Sequence, residues 1–181
     1  GDHSLGLPGL FQSMSANNYS NTLEIYGPKN SKRLVDGMIS AFLLKNKINF
    51  KVEEVEKKFF DSSDFFLEAL PMKHSAPCLA FSFTEKEKRR IDIRYLKKFN
   101  LKKDPIIGRL QAGRDIVYKG KKIKAKDATF IVPGKKVTYI TDTRLIPNCI
   151  KIAKNSDLLI CESTFTSELK NKAKEYFHLT S

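Results

Sequence analysis

The side chains of this sequence that could do chemistry are three histidines and a few carboxylates. The set comprises Asp2, His3, His74, Asp142, Glu162 and His178. Asp142 lies two residues after the strand-like run at 137–140, and Glu162 directly follows the apolar run at 158–161. Sites in α/β proteins gather at the carboxyl ends of strands. Imidazole and carboxylate groups bind zinc and also transfer protons. Singly, each residue has a plainer explanation, such as a surface histidine or a capping aspartate, so the arrangement must decide.

The order of these residues resembles the motif order of a known family. The opening GDHSLGLPGL is similar to the second half of the HxHxDH motif of the metallo-β-lactamase superfamily, and its LGLPGL part to the ribonuclease Z branch. PMKHSAP around His74 and TDTR around Asp142 match the next metal-ligand motifs. EST at 162–164 and HLTS at 178–181 resemble the Glu and His motifs of the nuclease members. Five ordered motifs at compatible spacing make the resemblance specific, and it runs from end to end.

This resemblance implies a site for two zinc ions. His74 would bind the first zinc, Asp2 and His3 the second, and Asp142 both. Two divalent ions can hold and activate a water while they stabilise charge on a phosphate. The first two histidines of HxHxDH would precede residue 1, and the last metal histidine would follow Ser181, so four of the seven implied ligands are present. We therefore expect a fragment that lacks both ends and binds zinc poorly.

The resemblance also implies catalytic roles. Asp2 would take the proton of the attacking water, and His178 would protonate the leaving oxygen while Glu162 orients its ring. The implied enzyme is a metal-dependent endoribonuclease that removes 3′ trailers from precursor tRNA and leaves a 3′-hydroxyl. The Glu162 and His178 pair favours a nuclease over a relative that acts on small molecules.

Most of the net charge of +13 lies in one segment, residues 84–126, which holds sixteen basic and five acidic residues. Such a concentration favours a polyanionic partner. In the ribonuclease Z branch an arm that grips tRNA lies at this position, and the stretch 104–113 is similar to part of it, with Asp-Pro where the family has Gly-Pro. A solvated lysine-rich loop is the plainer alternative. The candidate phosphate contacts are Lys102, Lys103, Arg109, Lys119, Lys121 and Lys122.

Outside this basic segment, apolar strands alternate with helices. Strands are predicted at 23–26, 48–55, 79–83, 129–132, 136–140 and 158–161, and helices at 32–43, 147–154 and 166–176, with Ser31 as an N-cap. The alternation indicates an α/β layered core, and the resemblance implies an incomplete αββα sandwich. We expect this core at 1–83 and 127–181. Residues 84–126 would be inserted as a protruding arm with a short helix and hairpin-like pieces, and little there can build a core.

The composition bears on whether the chain crosses a membrane and on the redox state of its cysteines. No run of about 18 apolar residues occurs, so no membrane span is expected. Cys78, Cys149 and Cys161 lie far apart without a CxxC pair; Cys78 and Cys161 lie in apolar runs and are expected to be buried, which fits a reducing cytoplasm. The resemblance implies a homodimer.

Two other functions stay open. A metallo-β-lactamase-fold hydrolase of thioesters or lactones shares the Asp-His and later Asp motifs, but it needs neither the basic segment nor the Glu162 and His178 pair. A non-catalytic RNA-binding fragment would explain the missing ligands. An assay that compares cleavage of precursor tRNA with turnover of a thioester would distinguish the endoribonuclease from the first alternative. The metal content of the chain would distinguish it from the second, because a binding module needs no zinc.

Overall fold

The computed structural model describes residues 2–44, 48–102 and 104–181, apart from the side chain of Asp2. The helices are α1 (Leu7–Ala16), α2 (Ser31–Ala41), α3 (Ile93–Lys97), α4 (Ile107–Gln111), α5 (Ala125–Ala128), α6 (Pro147–Ala153) and α7 (Lys170–Tyr176), with 3-10 turns at Asp2–Ser4 and Ser167–Leu169. The strands are β1 (Thr22–Gly27), β2 (Asn49–Glu54), β3 (Lys57–Asp61), β4 (Phe65–Met72), β5 (Cys78–Glu85), β6 (Lys88–Ile91), β7 (Ile116–Tyr118), β8 (Lys121–Ile123), β9 (Thr129–Val132), β10 (Lys136–Ile140) and β11 (Leu158–Cys161). Among these residues no helix has the length and apolar character needed to cross a bilayer.

The largest sheet has five strands in the order β11-β10-β5-β4-β3. Its strands pair antiparallel except for β10 and β11, which run parallel. Helix α6 packs against β4, β5 and β10. The shared core consists of Met72, Ala80, Ile140, Cys149 and Ile152. This layer fixes the ends of β10 and β11, and two of the candidate carboxylates, Asp142 and Glu162, follow these ends.

A second layer is a βαβ unit in which β1 and β2 run parallel and α2 crosses between them. Helices α1 and α2 cover one face of this pair. The core between them is Phe11, Val35, Ile39, Leu44 and Ile48. On the other face the Tyr26 ring lies 4.8 Å from that of Phe59, which lies 6.2 Å from that of Phe81 in β5. The order helices, small sheet, large sheet, helix α6 confirms the αββα layering.

The basic segment has a core of its own, so the expectation that little there could build one is wrong. Strands β6 and β9 pair antiparallel at its base, and the β7–β8 hairpin and three short helices lie between them. Lys119 and Gly120, both at positive φ, form the hairpin turn. The buried cluster is Leu96, Leu101, Leu110, Ile116, Ile123, Ala125 and Ala128. These apolar residues are scattered in the sequence, and only the short elements bring them together.

Local structure confirms most predicted elements and corrects three details. Ser31 is the first residue of α2 and not its cap, because Asn30 takes the cap position at φ 75°. The sequence patterns missed α1, β3 and β4, which are all well formed. β11 was expected to be buried, yet all four of its side chains are exposed, Cys161 included, because it is the edge strand of the described sheet. The fully buried cysteine is Cys149 on α6.

Candidate active site

The topology brings the candidate residues to one edge of the large sheet. Asp142 follows β10 and Glu162 follows β11, and since these strands are parallel, their carboxyl ends lie side by side. β5 is antiparallel to β10, so the β4–β5 connection that carries His74 reaches the same edge. His178 follows α7, and an isolated bridge between Phe165 and Thr180 ties that region back beside β11.

Asp142 lies at the centre of the site, within reach of all three histidines. Its Oδ2 is 3.1 Å from His3 Nε2 and 3.8 Å from His74 Nε2, and its Oδ1 is 3.8 Å from His178 Nδ1. Ligand atoms of His74, Asp142 and His178 all lie within 4.8 Å of one another. These three side chains are about one-fifth exposed, whereas His3 is 54% exposed. One carboxylate surrounded by imidazoles is a donor set that suits zinc.

The hydrogen bonds of two histidines assign their ring tautomers. His74 Nδ1 is 3.3 Å from the carbonyl oxygen of Phe177, which can only accept, so Nδ1 carries the proton. His178 Nδ1 is 3.1 Å from Glu162 Oε1 and 3.2 Å from Thr164 Oγ1. Since the carboxylate accepts, this Nδ1 is protonated too. Both rings therefore keep the Nε2 lone pair free for a metal or a proton, as in carboxylate–histidine–metal arrangements.

Glu162 connects several segments of the site. Its Oε1 accepts hydrogen bonds from the Leu179 backbone N–H at 2.8 Å and that of Thr143 at 3.3 Å. Its Oε2 accepts from the backbone and the hydroxyl of Thr164, at 2.9 and 2.7 Å. Burial opposes ionisation, but the bonds from Thr164, Leu179 and Thr143 outweigh it and lower the pKa of Glu162. The group is thus a carboxylate at neutral pH, and it fixes the His178 ring.

A largely apolar cavity of about 330 Å³ adjoins the site. It lies between the βαβ layer and the large sheet, and its lining includes His3, Tyr26, Cys78 and Thr141. Burial raises the pKa of the Cys78 thiol, and the charge of Asp142 raises it further. Among the described residues, the group of clustered ligand atoms is His74, Asp142 and His178, and it does not include Cys78.

Five of the six residues predicted for catalysis and metal binding have described side chains, and the structure brings them together. His3, His74 and His178 lie around Asp142, and His178 also contacts Glu162. The side chain of Asp2 lies outside the described residues. Sequence reasoning missed Thr143, Thr164 and Phe177, which hold Glu162 and His74 in place. The two threonines lie inside the TDTR and EST motifs, and this position could have indicated their role. Nothing in the sequence indicated the role of the Phe177 carbonyl.

The candidate RNA contacts lie on the basic segment. Lys103 is outside the described residues. The other five have exposed side chains: Lys102, Arg109, Lys119, Lys121 and Lys122. Lys119 Nζ lies 5.6 Å from the Tyr118 ring centroid, and Lys122 Nζ lies 3.5 Å from Asp115 Oδ2. Three of these lysines therefore sit on one hairpin, next to an aromatic ring.

No family model matches the chain. Curated relatives match it along its whole length. Ribonuclease Z of Nanoarchaeum equitans is 35% identical over 180 residues, which is 99% of this chain and 57% of the relative. Ribonuclease Z of Ignicoccus hospitalis is 35% identical over 185 residues, covering all of this chain and 60% of the relative. Over its whole length, this chain resembles ribonuclease Z. It spans about three-fifths of the length of these relatives.

Solved structures of ribonuclease Z support the same fold. The short form of human tRNase Z superposes with a TM-score of 0.63 at 21% identity, covering 99% of this chain and 60% of that one. A long-form RNase Z from yeast gives 0.54 at 14% identity, with 97% and 24% covered. A metallo-β-lactamase fold protein from Bacillus subtilis also gives 0.54, at 16% identity, covering 99% of this chain and 52% of that one. The chain thus has the metallo-β-lactamase fold that its motifs implied.

Proposed function

We propose that this chain supplies much of the active site of a zinc-dependent endoribonuclease that removes 3′ trailers from precursor tRNA. The observation that carries the proposal is the convergence of His3, His74 and His178 on Asp142, with Glu162 behind His178. The similarity to ribonuclease Z supports the substrate class, and so does the basic segment.

The donor atoms fit zinc. His74 and Asp142 would hold one ion, and His3 with Asp142, joined by Asp2, would hold a second. Both ions would stabilise negative charge on the phosphate and supply an activated water. The free Nε2 lone pair of His74 agrees with this assignment, because its Nδ1–H is already engaged by the Phe177 carbonyl.

The remaining residues handle protons. In the proposed hydrolysis the water oxygen bonds to phosphorus, and the bond between phosphorus and the 3′ oxygen of the tRNA breaks. Asp2 takes the proton of the water, and His178 delivers a proton through Nε2 to the departing oxygen. Glu162 keeps the His178 ring oriented. The products are a tRNA 3′-hydroxyl and a trailer with a 5′-phosphate.

The basic segment, residues 84–126, is proposed as the surface that binds tRNA. Its exposed lysines and Arg109 surround a separate small core, so they are held at fixed positions on a compact support. Contacts of this kind follow phosphates and the shape of folded RNA more than its sequence.

We propose a cytoplasmic homodimer as the working form of the protein.

Turnover of two substrates tests this proposal. The full natural protein that contains these 181 residues is loaded with zinc and given labelled precursor tRNA or a thioester. We expect cleavage of the RNA at the 3′ side of the tRNA body and negligible thioester hydrolysis. Thioester turnover without RNA cleavage would instead identify a small-molecule hydrolase, and RNA binding with neither zinc nor cleavage would identify a binding module.

A further inference from the structure

Arg144, two residues after Asp142, contacts the end of the helix that precedes His178. Its Nε donates a hydrogen bond to the Lys174 carbonyl at 2.8 Å, and its Nη2 donates to the same oxygen. Lys174 lies in the last turn of α7, where carbonyls lack partners within the helix. The guanidinium carbon also lies 4.0 Å from the centroid of the Phe177 ring, a cation–π contact. The Arg144 side chain therefore contacts both the end of α7 and Phe177, the residue that follows this helix.

Phe177 has a backbone conformation that needs such support. It ends α7 at φ 62° and ψ 45°, in the left-handed region that residues other than glycine rarely occupy. The turn places the His178 N–H on the carbonyl of Ala173 at 2.9 Å. The guanidinium lies against the ring of this residue, and His178, the residue after the turn, reaches Glu162 with its Nδ1.

Phe177 in turn contacts the histidine on the opposite side of the site. Its carbonyl accepts the hydrogen bond from His74 Nδ1, and its ring lies edge-on to the His74 ring with centroids 6.4 Å apart. The His74 and His178 rings are themselves 5.3 Å apart. The position of this one carbonyl thus favours the form of His74 that carries the proton on Nδ1.

Arg144 is anchored at its own backbone to the loop that carries His74. Its N–H donates to the Lys73 carbonyl at 2.9 Å, while the Lys73 N–H donates to Thr143 Oγ1 at 3.0 Å. Thr143 is fully buried and donates its hydroxyl proton to the Arg144 carbonyl. The arginine is therefore fixed at its base, so that it can hold the end of α7 at its tip.

We infer that Arg144 is a positioning residue that, through Phe177, sets the ring tautomer of His74 and the placement of His178. It touches none of the proposed reacting atoms. Its part in catalysis and zinc binding rests on the proposed function, but its effect on the two histidine rings does not.

The test combines ring-nitrogen NMR, zinc affinity and kinetics on four variants of the full natural protein that contains these residues. Arg144→Gln removes the positive charge and the guanidinium that lies against the Phe177 ring. Arg144→Lys keeps the charge and a single donor nitrogen. Phe177→Leu removes the ring but keeps the carbonyl. Lys174→Ala is the control, because it changes an exposed side chain and leaves the carbonyl that Arg144 contacts.

In the metal-free wild type and in Lys174→Ala, we expect His74 to carry its proton on Nδ1. In Arg144→Gln the ring should move toward the Nε2–H form, with zinc affinity reduced by about tenfold to a hundredfold, as when other supporting partners of metal ligands are lost. Arg144→Lys and Phe177→Leu should fall between these limits. For precursor tRNA, kcat should drop while KM stays within about twofold, since no phosphate contact is removed.

Folding is checked by circular dichroism, and if Arg144→Gln does not fold, the decision passes to Arg144→Lys and Phe177→Leu. Unchanged tautomer and zinc affinity in the folded variants would overturn the inference. If the histidine signals shift as expected but wild type cleaves no RNA, the positioning role stands and the proposed function fails.

Discussion

The sheet edge that carries Asp142 and the histidines and the basic segment are built in opposite ways. At the edge, Glu162, His74 and His178 are fixed by hydrogen bonds that arrive from separate parts of the chain. In the basic segment an apolar cluster forms the centre and the charged side chains extend into solvent. Proton transfer and metal binding need donor atoms fixed to fractions of an ångström, whereas phosphate binding needs positive charge at roughly the right places. The comparison predicts that damage to the edge lowers turnover, and that damage to the segment lowers RNA affinity.

Replacement of the central carboxylate should have the largest effect on turnover. Asp142→Ala removes the one side chain that lies near all three histidines, so uncompensated positive charge would remain if metal stayed bound. We expect cleavage to fall below detection and bound zinc to decrease, measured by gel assay and elemental analysis. Asp36→Ala, on the exposed face of α2, is the matched control and should behave as wild type. Retention of both metals and normal turnover would remove Asp142 from the centre of the site.

Loss of the charge behind His178 should have the next largest effect. Glu162→Gln keeps the shape of the side chain but replaces one carboxylate oxygen with an amide group that donates, so some of its hydrogen bonds are lost. We expect kcat to fall by about tenfold to a hundredfold, with the affinity for precursor tRNA unchanged. Glu168→Gln, which is exposed, serves as the control. If both variants kept wild-type kcat, the Glu162 and His178 pair would have no catalytic role.

A cavity in the core of the basic segment should affect binding more than chemistry. Leu110 is fully buried there, and Leu110→Ala should destabilise the segment by about 2–5 kcal/mol. Hydrogen exchange at amides 93–128 should accelerate while amides of β4 and β5 stay protected. Affinity for tRNA should drop, and hydrolysis of bis(p-nitrophenyl) phosphate should stay near wild type. Leu34→Ala, at an exposed position on α2, is the control. Equal loss of protection in both regions would contradict the separation.

Removal of surface charge should have the smallest effect on turnover. Changing Lys102, Lys103, Arg109 and Lys121 to alanine should leave hydrolysis of the small phosphodiester intact. Each lost phosphate contact should reduce the slope of log K against log salt by roughly 0.7 to 0.9. Binding of folded tRNA at several salt concentrations measures this slope. An unchanged slope would show that these side chains make no phosphate contacts and would favour the alternative of a solvated lysine-rich surface.

The sequence predicted which side chains lie together better than it predicted what supports them. The motifs selected His74, Asp142, Glu162 and His178, which the structure brings together, because metal binding and proton transfer tolerate few residue types. They did not identify Phe177, since a backbone carbonyl places no constraint on residue type, or the Arg144 contact, which depends on where α7 ends.

In the fold, alternating apolar runs gave most strands, whereas β3 and β4 were missed because lysine, glutamate and proline interrupt their pattern. The core of the basic segment was missed because its members come from short elements without a clear period. The exposure of β11 depends on the order of strands in the sheet, which its own four apolar residues do not encode.

The chemical form of the cleaved RNA ends tests the central claim most directly. The zinc-loaded natural protein is incubated with precursor tRNA labelled upstream of the cut, and the new 3′ end is identified by mass spectrometry. Attack by a water that gives its proton to Asp2, with a proton delivered by His178, predicts a tRNA 3′-hydroxyl and a trailer with a 5′-phosphate. A 2′,3′-cyclic phosphate on the tRNA would show that the ribose hydroxyl and not water attacks phosphorus, and it would contradict the mechanism assigned to this site.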